Sequence, residues 1–353
     1  MMNNLPLISV IIPTYNREEL LPKAMMSVIS QTYKNWELLI VDDNSTDQTR
    51  KVVEQYASND KRIKYQKNDR NKGPSGARNC GILHSKGEFI AFLDSDDEWF
   101  DYHLTDSLHT INNTGADVCF SLWVERRNEE IVKVFDRKEL QNNLKNKMEI
   151  FETYNNAVLF DKGLFEHFLN DSGWFYHINT MVIRKSMIDK IGLLNEKFIY
   201  GEDSEYIVRF FDHSKIALIN NPHFIYNQSH DSLYFFCDRS GLDVEEIFNN
   251  DELHKKLSVT GKYSNEFRLN IRKRILKTDY LENKTQCLEN IESAISKKYL
   301  TLSILHKSNI FKALHYCNLS MLYEFKSYKL SFMFSLINPF KKIKFENIDL
   351  DLY

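Results

Sequence analysis

Asp94, Asp96 and Asp97 crowd the end of an apolar segment in the run Phe92-Leu93-Asp94-Ser95-Asp96-Asp97-Glu98-Trp99. Carboxylates this close raise one another's pKa and repel, so bare they cost stability. A hard divalent cation such as Mg²⁺ or Mn²⁺ removes that cost, because it prefers carboxylate oxygens. An isolated Asp-x-Asp is more often a solvated acidic turn. The choice between a cation site and a turn rests on the elements that position these side chains.

Those elements alternate between strand and helix over the first hundred residues. Leu7–Pro13 reads as a β-rich apolar strand, and Pro22 opens a helix carrying Ala24, Met25, Val28 and Ile29 at helical spacing. Glu37–Val41 reads as a second strand ending in Asp42-Asp43-Asn44, after which Ser45 and Gln48 predict a capping box for a helix bearing Val52, Val53 and Tyr56. Arg62–Gln66 is a third strand. Asn71-Lys72-Gly73-Pro74-Ser75-Gly76-Ala77-Arg78-Asn79 is a glycine-containing loop into a short helix, and Glu88–Leu93 is a fourth strand. Such alternation predicts an α/β fold with a parallel, doubly wound sheet. Ligands bind beyond the carboxyl ends of such strands. Pro13-Thr14-Tyr15, Asp42-Asp43 and the acidic run all fall there, which weighs against the turn.

Further along, strand-like pieces at Asp117–Val124, Ile178–Ile183 and Lys215–Ile219 mix with helical ones. Beyond about Asp243 helices dominate, with Phe267, Ile271 and Ile275 recurring on one face. The chain therefore divides into a catalytic domain over 1–240, with halves 1–111 and 112–240, and a mainly helical region over 241–353.

The totals fit this plan. A chain of 353 residues with 42% hydrophobic and 27% charged residues is of the soluble globular class, and its longest apolar runs are too short to span a bilayer. Pro13 cuts the N-terminal apolar run short of a signal-peptide layout. The five cysteines are scattered and in no metal-ligand spacing, which argues for a reducing cytosol and against a zinc site. The net charge of −3 conceals an asymmetry: from Asp251 onward 18 Lys and Arg face 11 Asp and Glu. A basic helical tail on an acidic body suits an anionic partner such as a membrane surface, and suits equally a tail that packs on the catalytic domain or forms a dimer. No nucleic-acid partner is expected, and the oligomeric state is open.

Taken in order, Ile8-Ser9-Val10-Ile11-Ile12-Pro13-Thr14-Tyr15-Asn16-Arg17, Val41-Asp42-Asp43-Asn44-Ser45, Gly73 to Asn79, Phe92 to Asp97 and Gly201-Glu202-Asp203 resemble the family 2 inverting glycosyltransferases of the GT-A fold. The resemblance implies a Rossmann-like, mostly parallel sheet flanked by helices, with a C-terminal helical extension. It implies a nucleotide-sugar donor, most simply a UDP-sugar, and a glycan acceptor, a lipid-linked oligosaccharide of the O-antigen or capsule type. The enzyme would then be cytoplasmic or peripheral on the inner face of the membrane.

By the same resemblance, Pro13, Thr14 and Tyr15 offer backbone groups and an aromatic face to a uracil. Asp43 accepts from the uracil or ribose, with a helix cap as its alternative. Asn71 and Arg78 lie beside the nucleotide and donor sugar, with a surface ion pair as the alternative for Arg78. Asp94 and Ser95 sit near the ribose, Asp94 also meeting the metal's water shell. Asp96 is the direct ligand of Mn²⁺ or Mg²⁺, and His230 is a further ligand or phosphate contact, although Gln228 stands where the family carries an arginine. Inversion needs a base opposite the leaving group. Asp203 matches that base and Glu202 is second choice, the alternative being an acidic first turn favoured by the helix dipole. Asp97 could face the acceptor. Trp99, Trp174, Phe175 and Tyr176 either stack on sugar rings or fill the core.

The Gln-x-x-Arg-Trp motif of the family's processive synthases is absent from the sequence, which favours one sugar per acceptor. Two rivals stand: a nucleotidyltransferase, whose glycine-rich loop is replaced here by Pro13-Thr14-Tyr15-Asn16, and a non-catalytic sugar-nucleotide-binding protein, which would need no base.

Overall fold

The computed structural model describes residues 5–135, 152–160, 164–170, 176–228, 251–306, 309–325, 329 and 333. It divides into two compact units, Met1–Phe168 with Ser172–Ser229, and His230–Tyr353 with Leu169–Asp171.

The first unit is built on strands buried on both faces. β1 (Ile8–Thr14), β2 (Trp36–Asp42), β3 (Ile63–Lys67) and β4 (Phe89–Phe92) alternate with helices α1 (Leu21–Ile29), α2 (Thr49–Asn59) and α3 (Pro74–His84). β1 pairs in parallel with β2 on one side and β4 on the other, and β2 pairs in parallel with β3. A strand covered on both faces needs apolar residues at consecutive positions, and Ile8, Val10, Ile11 and Ile12 are all fully buried. The order β3-β2-β1-β4 reverses direction at β1. A crevice therefore opens between the ends of β1 and β4, the switch point where such sheets hold ligands. Thr14 ends one strand there and Asp94 follows the other.

The sheet continues through β5 (Glu98–Trp99), β6 (Val118–Arg127), β7 (Glu130–Val134), β8 (Glu152–Tyr154), β9 (Ala157–Phe160), β10 (Val182–Arg184) and β11 (Ile216–Asn227). Its full order is β3-β2-β1-β4-β10-β6-β11-β9-β8, with β5 on β11 and β7 on β6. Helices α4 (His103–Thr114), α5 (Leu164–Asn170), α6 (Lys185–Ile191) and α7 (Glu202–Val208) lie along this part of the chain. β10 runs antiparallel to both neighbours, and β6 and β11 are parallel to each other. The sheet is thus of the Rossmann-like, mixed and mostly parallel kind that the sequence predicts.

Three local expectations are corrected. Ser45 is not a helix cap: α2 starts at Thr49, and the Ser45 hydroxyl donates to Asp42 Oδ1 at 2.5 Å instead. The first free N–H groups of α2 are met by Asp47, whose Oδ1 accepts from Thr49 N–H at 2.9 Å, and by Glu18, which accepts from Gln48 N–H at 2.6 Å. Ile178–Ile183 is not one strand, because Ile178–Thr180 forms a 3-10 turn and pairing begins only at Val182. The third helix begins earlier than expected, with Pro74 at its first turn, so Arg78 and Asn79 stand on α3 rather than on a loop.

The second unit contains α8 (Asp251–Lys277), α9 (Lys284–Leu305) and α10 (Ile310–Tyr323), with α9 packed on both others. Ile271 and Ile275 are buried, as their spacing predicts, and Leu257, Leu302 and Leu305 form a small cluster with Tyr299 and Tyr316. Among the described residues no helix is long and apolar enough to cross a membrane.

Candidate active site

The end of β2 carries two aspartates with separate tasks. Asp42 is consumed internally, accepting from Ser45 and, at 2.7 Å, from the Tyr65 hydroxyl. Asp43 turns toward the segment Asn68–Gly73: its Oδ1 accepts from Asn68 Nδ2 at 2.7 Å and its Oδ2 from Gly73 N–H at 2.8 Å. It is not the cap of the helix that follows it. Gly73 directly precedes Pro74, so Asp43 anchors the entry to α3 and fixes the wall of the crevice. Asn71 is exposed on that wall, and its carbonyl accepts from Asn68 Nδ2 at 3.1 Å. Opposite, Tyr15 is 41% exposed with the Lys72 ammonium 4.4 Å above its ring, and Thr14 is buried with its hydroxyl unpartnered. An exposed aromatic face and an unpaired hydroxyl beside a strand end suit a polar planar ligand.

The acidic run separates into different environments. Asp97 is buried; its Oδ2 accepts from Asn179 Nδ2 and its Oδ1 from Asn227 N–H, each at 2.8 Å. Burial, reinforced by Asp96 and Asp94, raises its pKa well above the ordinary value. Asp97 therefore ties the loop to β11 and does not face an acceptor. Asp94 is 31% exposed at its side chain, with its N–H on Asn179 Oδ1 at 3.1 Å. Ser95 is buried between them. Asp96 keeps 24% of its side chain exposed and faces Arg17 at 3.8 Å, beyond hydrogen-bond reach. Burial and then the Asp94 charge raise the Asp96 pKa, with Arg17 pulling the other way. A partly exposed carboxylate under like-charge pressure fits a divalent cation, which reverses that pressure. His230 lies outside the described residues, as do Trp174 and Phe175.

Arg78 joins the acidic run to α7. It is 3% exposed, donating from Nη2 to Asp94 Oδ1 at 2.6 Å and from Nη1 to Glu202 Oε1 at 2.9 Å. The surface ion pair is thus replaced by a buried bridge. Burial opposes its charge, but Asp94, Glu202 and Asp203 outweigh burial and hold its pKa above the ordinary value. Gly201 adopts φ +69°, a left-handed turn that leads straight into α7 and sets Glu202 and Asp203 in its first turn. Glu202 is buried on Arg78, and burial followed by the Asp203 charge raises its pKa to about 7. Asp203 is more exposed, accepting from Ser204 N–H at 2.7 Å.

Several site residues carried no sequence signal of their own. Asn179 is fully buried and serves Asp94, Asp97 and, through its carbonyl at 2.6 Å, the Trp99 indole. Trp99 is therefore a core residue, and Tyr176 is buried as well. His177 lies against Phe224, Trp123 and Tyr226 at ring separations of 4.8, 5.7 and 6.0 Å. Its pKa is lowered by burial, while Asp203 and Asp94 pull it upward. The imidazole thus sits within electrostatic reach of both carboxylates. Arg17 and Asn227 complete the set.

A family model described as Glycosyl transferase family 2 matches residues 9–189. A Campylobacter jejuni GalNAc(5)-diNAcBac-PP-undecaprenol beta-1,3-glucosyltransferase is 31% identical over 61% of this chain and 68% of its own length. An Escherichia coli UDP-Glc:alpha-D-GlcNAc-diphosphoundecaprenol beta-1,3-glucosyltransferase, WfgD, is 50% identical over 26% of this chain, spanning only 36% of its own length. Among solved structures, S. aureus TarS 1-349 in complex with UDP-GlcNAc aligns over 92% of this chain and 91% of its own, at TM-score 0.54 and 20% identity. The Pyrobaculum calidifontis mannosyltransferase PcManGT with GDP-Man and Mn2+ aligns over 95% and 85%, at TM-score 0.54 and 12% identity. At those identities the two structures share a fold with this chain.

Proposed function

This chain belongs to glycosyl transferase family 2 and has the GT-A fold, and we propose that it transfers one sugar, with inversion, from a UDP-sugar to a hydroxyl of a lipid-linked glycan. The observation that carries this reading is the Arg78 bridge, which gathers Asp94 and Glu202 on one guanidinium with Asp203 in the same turn. In this reading Asp94 is the donor-side carboxylate and Asp203 the acceptor-side base, and the bridge joins the segments that carry them. The relatives named for glucosyl transfer to undecaprenol diphosphate acceptors, and the UDP-GlcNAc complex of TarS, support the substrate classes.

In this reading residues 1–111 hold the donor and 112–240 the acceptor. Pro13, Thr14 and Tyr15 receive the base, Asp43 and Asn71 shape the wall beside the ribose, and Asp94 and Ser95 meet the nucleotide. Asp96, with Asp94 and His230, would hold Mn²⁺ or Mg²⁺. When bound, such a cation offsets charge on the departing diphosphate. Asp203 accepts the proton of the acceptor hydroxyl as its oxygen bonds to the anomeric carbon and the bond to the diphosphate breaks on the opposite face. Glu202, held on Arg78 and keeping its proton to about pH 7, leaves Asp203 as the turn's accessible carboxylate. The basic region 241–353 is proposed to meet an anionic membrane surface where a lipid-linked acceptor resides. Vesicles containing anionic lipid should co-sediment the full chain at low salt and release it at high salt.

The central test is a screen of nucleotide-sugars with undecaprenol-diphosphate glycans, read as released nucleoside diphosphate. Release should need a divalent cation and fall by roughly 10²–10⁴ in Asp203→Asn, while UDP binding persists. Equal turnover in that variant would remove Asp203 as the base, and no release with any donor would remove the transferase reading.

A further inference from the structure

On α3 and the segment before it, three side chains of different chemistry converge. Cys80 and His84 are four residues apart on α3, so they share one face. The Cys80 Sγ lies 3.7 Å from His84 Nδ1, and His84 Nε2 lies 3.9 Å from Asp69 Oδ2. One ligand atom from each of the three lies within 4.8 Å of the others. In a tetrahedral zinc site, bonds of about 2.3 Å to sulfur and about 2.0 Å to nitrogen place those two ligand atoms roughly 3.6 Å apart. The sulfur–nitrogen pair already stands at that separation. Asp69 and His84 are 58% and 42% exposed at their side chains, so the remaining closure needs only rotamer changes of surface groups. Cys80 is fully buried, which makes it the fixed member. His84 Nδ1 also lies 2.9 Å from the Cys80 carbonyl, a hydrogen bond that ligation through Nδ1 would replace.

We propose that Asp69, Cys80 and His84 bind a borderline-soft divalent cation, Zn²⁺ foremost, at a site separate from the Asp94–Asp96 carboxylates. A thiolate and an imidazole favour zinc, whereas two carboxylates favour Mg²⁺ or Mn²⁺, so the chain distinguishes the two cations by ligand softness. Burial pushes the Cys80 thiol up to about 11, so without a cation it stays protonated and donates to the Lys67 carbonyl at 3.7 Å. Binding releases that proton to solvent and replaces the hydrogen bond with a metal–sulfur bond. The exposed side leaves the fourth position to water. Asp69 adjoins Asn68, which holds Asp43, and Arg70, which is paired with Glu196. The cation would thus clamp the segment Asn68–Gly73 to α3. Cysteine spacing alone argues against zinc here because the other two ligands are a histidine and an aspartate.

Cobalt is the probe. The metal-free full chain, titrated with Co²⁺, should develop a near-ultraviolet thiolate-to-cobalt band that saturates at one equivalent and is displaced by Zn²⁺. The band should vanish in Cys80→Ser and persist in Asp96→Asn. Should Cys80→Ser fail to fold, the exposed positions carry the test: Asp69→Asn and His84→Gln should each weaken the cobalt affinity by about tenfold or more. No thiolate band, a band that survives Cys80→Ser, or affinities unmoved in both surface variants would overturn the site. The band reports sulfur ligation and not turnover, so its failure is distinct from failure of the transferase reading.

Discussion

Arg78 donates a buried hydrogen bond to Glu202, Nη1 to Oε1 at 2.9 Å, that fastens α3 to the first turn of α7. The same guanidinium holds Asp94 at 2.6 Å. A planar fork can serve two carboxylates at fixed angles, and a lysine ammonium cannot reproduce that geometry. Arg78 is thus the part that sets the distance between the acidic run and the turn that carries Asp203.

Arg78→Lys should keep the fold but lose one of the two contacts, lowering kcat/KM by roughly 10²-fold. Arg78→Ala leaves Asp94 and Glu202 without their buried partner and should destabilise by about 3–5 kcal/mol. Denaturant midpoints and steady-state kinetics separate the two effects. Wild-type kcat/KM in Arg78→Lys would show that the bridge does not position the site.

Glu202 gives a pH signature. Burial and then the Asp203 charge raise its pKa from the ordinary 4.5 to about 7, against the pull of Arg78. Between those values the folded chain binds more proton than the unfolded chain, so stability falls as pH rises. The contribution is complete below about 4.5 and lost as pH passes about 7. Glu202→Gln removes the titration, so its Tm should change less between pH 5 and 7.5 than that of the wild type, by about a degree or more. Parallel Tm profiles would refute the raised pKa.

How much of this was legible beforehand depends on the reach of each contact. The strand ends and the carboxylates were visible because period and charge are local properties. Asp97 was expected to face the acceptor, and its burial was not legible, since the partners that hold it there, Asn179 and Asn227, are each distant in sequence. Ser45 looked like a cap because its spacing to Gln48 fits one, but Asp42 three residues earlier accepts its hydroxyl and the helix starts later. His177 was invisible for the same reason as Asn179: nothing near it in sequence is charged, and its neighbours Trp123, Phe224 and Asp203 arrive only through the tertiary fold.

Asp96 and Asp97 should respond oppositely to amidation. The Asp96 carboxylate is under like-charge pressure from Asp94, with Arg17 only at 3.8 Å. Asp96→Asn should therefore hold or raise Tm in the metal-free chain while abolishing cation-dependent release of nucleoside diphosphate. Asp97 accepts on both oxygens. Asp97→Asn turns one acceptor into a donor facing a donor, costing about 1–3 kcal/mol. Calorimetry of the two variants distinguishes the roles, and destabilisation of equal size would contradict them.

Gly76 offers the last test, because its environment leaves a methyl group nowhere to go. A Cβ there would lie 1.9 Å from the Asn71 carbonyl oxygen and 2.9 Å from its carbon, both backbone atoms that no rotamer can move. That carbonyl accepts from Asn68 Nδ2, the amide that also holds Asp43. Gly76→Ala should therefore push the segment Asn68–Gly73 outward, cost about 1–3 kcal/mol, and loosen the wall beside Asp43. Affinity for UDP, measured by titration calorimetry, should fall about tenfold or more through lost preorganisation. Ala77→Gly, one residue on, introduces no such clash; it costs about 1 kcal/mol of helix propensity and should leave the affinity in place. An affinity unchanged in Gly76→Ala, or lowered equally in both variants, would mean that this wall does not shape the nucleotide site.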